Sequence, residues 1–253
     1  MRNAILRIVI TGSIAALVVG STGQTAPKKA KPALTAAQVM DRGAAVLGPK
    51  AAWDRIKTTV MRGRIEAKAQ GLSGTVTVKA KRPGRFLVEQ NIKGVGVTRQ
   101  GYDGKIGWSK DPAQGLRKLT GAELQAAQRA AIGAHLEWRR FFTKWELGGI
   151  KKVNGKSAYV VKLSPRIGRM TIEYYDVKTF MPVRTDMVTE VAGLPVPIEI
   201  YPSDFRKVDG VLMPYAMRQR VLQPSGPVEI MVRITSIKNN TAIPDAVFAM
   251  PKQ

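Results

Sequence analysis

The sequence predicts a mainly β protein with some α-helix, organised as one large antiparallel sheet in a single domain. Three observations carry this. A long hairpin is written around Asp209-Gly210. Apolar residues recur with a period of two from Thr59 to Ile237, broken by one stretch near residues 111–145. Turn dipeptides (Pro83-Gly84, Asp103-Gly104 and Asn154-Gly155) separate the extended runs at short intervals.

The hairpin is the organising stretch. Asp-Gly supplies the positive φ values that a two-residue type I′ turn needs. In its return run Val211, Met213, Tyr215, Met217 and Val221 fall on one face, and Leu212, Ala216, Arg218, Arg220 and Leu222 on the other. Methionine is flexible and fills irregular space, so the soft face is expected to line an apolar cavity near the centre of the sheet.

Ahead of the sheet, residues 1–23 read as an export signal. Arg2 and Arg7 form a positive start, Ile8–Val19 is apolar but short for a membrane span, and Ser21, Thr22 and Gly23 are small. Residues 24–33 read as a solvated linker, and 34–253 as the single domain. Leu34–Ile56 has helical spacing, with Thr35 as a cap and a break at Gly48-Pro49. Strands follow over 59–69, 75–80, 85–92, 95–102 and 105–110. Thr120 and Glu123 fit a capping box opening a helix to about residue 134. Its thin stripe of Leu124, Ala127 and Ala131 leads into Leu136, Trp138, Phe141, Phe142 and Trp145, the densest aromatic cluster in the chain, and the pair would suit a mobile lid. The sheet resumes over 145–153, 156–163, 170–175, 181–190, 196–206, 211–222 and 228–237, for about eleven or twelve strands.

Composition narrows function more by exclusion. The chain has no cysteine, hence no disulfide, thiolate nucleophile, Cys-ligated zinc or lipid-modified cysteine. His135 is the one histidine, so a metal site is not expected and a Ser–His–Asp arrangement has a single possible base. Gly155-Lys156-Ser157 ends like a phosphate loop, but Ile150 occupies the required earlier glycine position. Gly94-Val95-Gly96 opens no helix. No catalytic residue and no cofactor is expected. Lys and Arg number 41 against 18 Asp and Glu, a net charge of +23. Arg62, Arg64, Lys68, Arg218 and Arg220 fall on outward faces, yet no aromatics are interleaved to stack bases, which argues against nucleic acid. An anionic membrane surface or acidic envelope proteins suit the charge better.

Five segments together resemble the LolA/LolB-like superfamily, and more narrowly the outer-membrane lipoprotein-sorting proteins. They are Gly101-Tyr-Asp-Gly-Lys-Ile-Gly-Trp108, Val153-Asn-Gly-Lys-Ser-Ala-Tyr159, Tyr174-Tyr-Asp-Val-Lys-Thr-Phe-Met-Pro-Val-Arg184, Asp204-Phe-Arg-Lys-Val-Asp-Gly-Val-Leu-Met-Pro214 and Ile243-Pro-Asp-Ala-Val-Phe248. The resemblance implies an incomplete, strongly curved antiparallel β-barrel covered by helices, with an apolar cavity for acyl chains. Lacking cysteine, the chain is similar to the soluble carrier type rather than the lipid-anchored receptor, although it is more basic than a carrier is expected to be.

The function expected on this basis is a periplasmic, monomeric carrier of lipid or lipoprotein acyl chains, without enzymatic activity. An acyl chain in water costs about 0.8 kcal/mol per CH₂, which a closed groove recovers. The candidate lining residues are Met40, Phe86, Val88, Leu124, Phe141, Phe142, Met213, Tyr215 and Met217, with the helix at 34–47 and the insert at 120–145 as covers. The alternatives are an envelope-stress sensor with a lipid-binding domain, a lipid hydrolase resting on His135, and a basic polyanion-binding surface.

Overall fold

A computed structural model of the chain describes residues 34–129, 131–191 and 194–252. The expected signal segment and the whole of the linker lie outside the described residues. Thirteen strands form one sheet in the order β6-β5-β4-β3-β2-β1-β13-β12-β11-β10-β9-β8-β7, and every neighbouring pair is antiparallel. The strands are β1 (Thr58–Ala67), β2 (Leu72–Lys81), β3 (Arg85–Ile92), β4 (Gly96–Tyr102), β5 (Gly107–Asp111), β6 (Gly115–Lys118), β7 (Phe142–Val153), β8 (Lys156–Pro165), β9 (Thr171–Asp176), β10 (Pro182–Val191), β11 (Leu194–Val208), β12 (Val211–Val221) and β13 (Val228–Asn239). The helices are α1 (Ala36–Val46), α2 (Lys50–Arg55) and α3 (Gly121–Arg129), with a 3₁₀ segment at Ala134–Arg140. This is the incomplete, strongly curved antiparallel barrel that was expected. Its two edge strands, β6 and β7, are not paired to each other.

The expected count of eleven or twelve strands falls short by β6. Gly115–Lys118 is four residues long, too short for an alternating pattern to register. Of the helix expected over 120–134 the structure gives α3 over Gly121–Arg129, and a separate 3₁₀ segment begins at Ala134, after Gly133 at φ 76°. Glu123, read as half of a capping box, gives its carboxylate to Arg117 in a two-pronged ion pair, both contacts 2.7 Å. At α1 the capping box is present: Gln38 N–H donates to Thr35 Oγ1, and Thr35 N–H to Gln38 Oε1.

The chain makes two meanders. β1–β6 run outward to one edge, and β7–β13 run back from the other edge to the middle. A single long-range pairing, β1 with β13, joins them, Thr59 opposite Asn239. The connection from β6 to β7 carries α3 and the 3₁₀ segment between the two edges. The organising hairpin is β11–β12, next to the centre of the sheet, and Asp209 and Gly210 take φ values of 49° and 87° in its turn. The α1–α2 junction is fastened to that turn by Leu212 N–H donating to the Leu47 carbonyl at 2.7 Å.

Alternation sorts side chains to the two faces. Phe86, Val88, Ile65, Ile230 and Val232 belong to the largest core cluster. Leu87, Val60 and Trp108 pack instead with Ile243 and Phe248 of the tail. The N-terminal meander is therefore buried on both faces, and the Trp108 indole donates to the Phe248 carbonyl at 2.9 Å. On the C-terminal meander Glu199 accepts from Arg184 at 2.7 Å, Arg220 at 2.6 Å and the Tyr201 hydroxyl at 2.9 Å. Arg218 stacks over the Tyr201 ring. Arg218 and Arg220, expected as outward cations, are thus half-buried and paired with Glu229 and Glu199.

Candidate ligand-binding site

A cavity of about 290 Å³ lies between α1, the 3₁₀ segment and strands β9 and β10. The cover over it is built from sequence features that are easily read. The buried face of α1, Ala36, Val39, Met40 and Gly43, packs on Val161, Leu163 and Tyr175 of the sheet. Gly43 permits the approach: a Cβ there would stand 2.2 Å from Tyr175 Cε1. The 3₁₀ segment is held by Trp138, buried and edge-on to Trp145 with ring centroids 4.9 Å apart. The two covers are clipped together. Trp138 Nε1 donates to Asp41 of α1 at 3.1 Å, and Arg139 donates to both Asp41 oxygens at 2.7 and 2.8 Å. Arg139 and the hydrogen bonds hold the Asp41 carboxyl below its usual value. The pair is exposed, and such pairs contribute less than about 1 kcal/mol, so this is a weak latch.

The cavity wall is largely apolar, with polar groups at a few points. The Tyr175 hydroxyl donates to Glu173 and lies 3.3 Å from the Met40 sulfur. Burial raises the Glu173 carboxyl above its ordinary value, and burial followed by the adjacent Glu173 charge raises the Tyr175 hydroxyl. Arg129 stands over the Phe142 ring, and burial lowers its guanidinium to about 10. A second cavity of about 430 Å³ adjoins the first across Arg129, Ala134 and Phe141. Its lining is different: Arg82, Arg140 and Arg166 with Gln125, Gln128 and Tyr102.

His135 also lines the first cavity, edge-on to Trp53 with ring centroids 4.6 Å apart. Its Nε2 is buried with no hydrogen-bond partner among the described residues, so no nucleophile is coupled to that nitrogen. Burial, and then the Arg82 charge, lower the imidazole to about 4. Among the described residues no group of three or more His, Asp or Glu is placed to hold a metal ion. The depressed value has a measurable consequence. The unfolded chain takes up the proton first, near the ordinary 6.5, so folding stability is full above that pH and is lost as pH falls toward 4. Between pH 7 and 4.5 the expected loss is about 2 kcal/mol from this group. His135→Phe keeps a ring against Trp53 and is expected to remove that share. Urea unfolding of both proteins at the two pH values measures it. Glu173, with its raised value, acts in the opposite direction, but it acts in both proteins and cancels in the comparison.

The structure brings three of the nine expected lining residues, Met40, Phe141 and Phe142, to the first cavity. The other six line neither of these two cavities. Phe86 and Val88 are in the main core, with Leu124, Tyr215 and Met217 packed half-buried against it. Met213 sits under α2 with Trp53, Ile56 and Val211. The soft face of the hairpin is thus in contact with other side chains along its length. The polar members of the cavity, Glu173, Tyr175 and Thr171, were not anticipated. Their odd-numbered spacing along β9 places them on one face, but an acid there reads as outward and gave no signal of a cavity.

No protein-family model and no curated protein sequence matches the chain. Solved structures do. A LolA superfamily protein from Nitrosomonas europaea superimposes with a TM-score of 0.57 at 16% identity, covering 86% of this chain and 98% of that one. A DUF1329 family protein from Desulfovibrio piger gives 0.56 at 15% identity, covering 85% and 97%. An outer membrane lipoprotein-sorting protein domain from Vibrio parahaemolyticus gives 0.52 at 11% identity, covering 83% and 97%. The chain has a LolA-like fold.

Proposed function

We propose that this protein is a non-enzymatic, monomeric carrier or binder of lipid or lipoprotein acyl chains, exported to the periplasm by residues 1–23. The observation that supports it best is the 290 Å³ cavity beneath a weakly latched cover, with Met40, Leu47, Trp138, Phe141, Phe142 and Met187 in its wall. That volume is near the lower end for small-molecule sites. A chain of about ten methylenes sheltered there is favoured by about 8 kcal/mol over water. Entry and release need the cover to part from the sheet, and the exposed Asp41–Arg139 pair is the contact that opens at least cost. The reading of residues 1–23 as an export signal and the fold shared with a lipoprotein-sorting domain support the same conclusion.

The test is mass spectrometry of lipid co-purifying with the protein from its native source, alongside Ala44→Trp. Ala44 lines the cavity from α1, and an indole there fills it. The native protein is expected to carry acyl lipid. The variant, with an unchanged far-ultraviolet circular dichroism spectrum, is expected to bind dodecanoate more than about tenfold more weakly, or about 1.4 kcal/mol. A native protein free of lipid that also ignores dodecanoate in solution would sink the reading.

A further inference from the structure

Resting on the acyl-binding reading, we infer that the guest is an amphiphile with an anionic head, its chain in the apolar cavity and its carboxylate or phosphate in the adjoining arginine-lined one. The two cavities share Arg129, Ala134 and Phe141 as a common wall, so a molecule with two unlike ends can occupy both. Four arginines, Arg82, Arg129, Arg140 and Arg166, border the second cavity, against one acid, Glu137. Glu137 stands 3.6 Å from Arg140 on an exposed turn, which offsets little of that charge.

The arginines are differently held. The Arg82 Nε donates to the Ile56 carbonyl at 3.0 Å and its Nη2 to the Trp53 carbonyl at 3.1 Å. Neutral carbonyls fix the guanidinium without cancelling its charge. Among the described residues neither Arg82 nor Arg166 forms an ion pair with a carboxylate. A positioned cation in partly desolvated surroundings is what an oxyanion recognises through charge-assisted hydrogen bonds. Arg129, half-buried, stands where the two cavities meet and lines both. The direction of the guest follows from the two linings. Met40, Phe142 and Met187 stand in the wall of the first cavity and Arg82, Arg140 and Arg166 in that of the second, so the head belongs on the arginine side and the chain beside Met40 and Phe142.

The experiment is tryptophan-fluorescence titration of the exported chain, since Trp138 lines the first cavity. Four ligands share one dodecyl chain: dodecanoate, dodecyl phosphate, dodecanol and dodecyltrimethylammonium. The two anions are expected to bind at least about tenfold tighter than dodecanol, equal to about 1.4 kcal/mol, and the cation weakest. In Arg140→Gln/Arg166→Gln, both exposed positions, that preference is expected to shrink severalfold while dodecanol affinity is unchanged. Acetate and inorganic phosphate at millimolar concentration are expected not to displace dodecanoate. Equal binding of dodecanol and dodecanoate overturns the head assignment and leaves the acyl reading standing. Displacement by acetate or phosphate overturns it in favour of a free-anion site. Failure of all four to bind removes the acyl reading itself.

Discussion

Trp108→Ala is expected to destabilise the protein by about 4 kcal/mol. Trp108 is 1% exposed and is the bulkiest fully buried side chain among the described residues. Its ring lies against Gly101 across the β4–β5 pair, where a Cβ would come within 2.5 Å of it. Its indole N–H satisfies the Phe248 carbonyl. Truncation therefore opens a cavity, orphans a buried acceptor and frees the tail from the sheet. Thermal unfolding followed by circular dichroism measures the loss, and faster proteolysis after residue 239 reports tail release. Trp108→Phe keeps most of the volume and separates out the hydrogen bond, expected at about 1–2 kcal/mol. An alanine variant that melts with the native protein would show that the tail contributes nothing to stability.

Glu199→Leu is the second, at about 3 kcal/mol. The Glu199 side chain is 11% exposed and accepts from three donors, Arg184, Arg220 and Tyr201. Leucine is apolar and similar in size, so lost packing is not the issue. The cost arises because Arg184 and Arg220 are left as neighbouring half-buried cations. Arg184 keeps Asp186 and Arg220 keeps Glu229, which keeps the effect below that of stranding a fully buried charge. Chemical denaturation should show the loss. Removing the cations as well, in Glu199→Leu/Arg184→Met/Arg220→Met, is expected to restore most of it. If the triple variant is no more stable than the single one, the electrostatic account is wrong.

Much of the fold was legible because most of it is local. Eleven of the twelve strand pairings join neighbours in sequence, and the turns between such neighbours carry their own chemistry, as at Asn154-Gly155, φ 47° and 80°, and Asp209-Gly210. Two segments behind the family resemblance, 101–108 and 243–248, touch one another through Trp108 and Phe248. The tail segment packs on the face of the sheet that carries Trp108, which accounts for their presence together. The pairing of β1 with β13 had no local signature, since its residues are about 180 apart in the chain. The site was legible in part. Met40, Phe141 and Phe142 stand on or beside the elements that interrupt the strand pattern, and apolar side chains there have little to face except the sheet. Alternation told which face Phe86, Val88 and Met217 share, but not whether neighbouring side chains fill the space above them, and they do. Glu173 is the reverse case: an acid on a strand reads as outward, and only the crossing of α1 over β9 encloses it.

The β1–β13 seam bears on how the molecule assembles. Each meander can zip up from its own turns, but the two halves become one sheet only when strands at opposite ends of the described chain meet, with a large loop-closure entropy to overcome. Until that step both halves carry an unsatisfied inner edge, the kind of surface on which misassembly and aggregation begin. The hazardous interval of folding therefore comes late, and it is the docking of β13 on β1 that ends it.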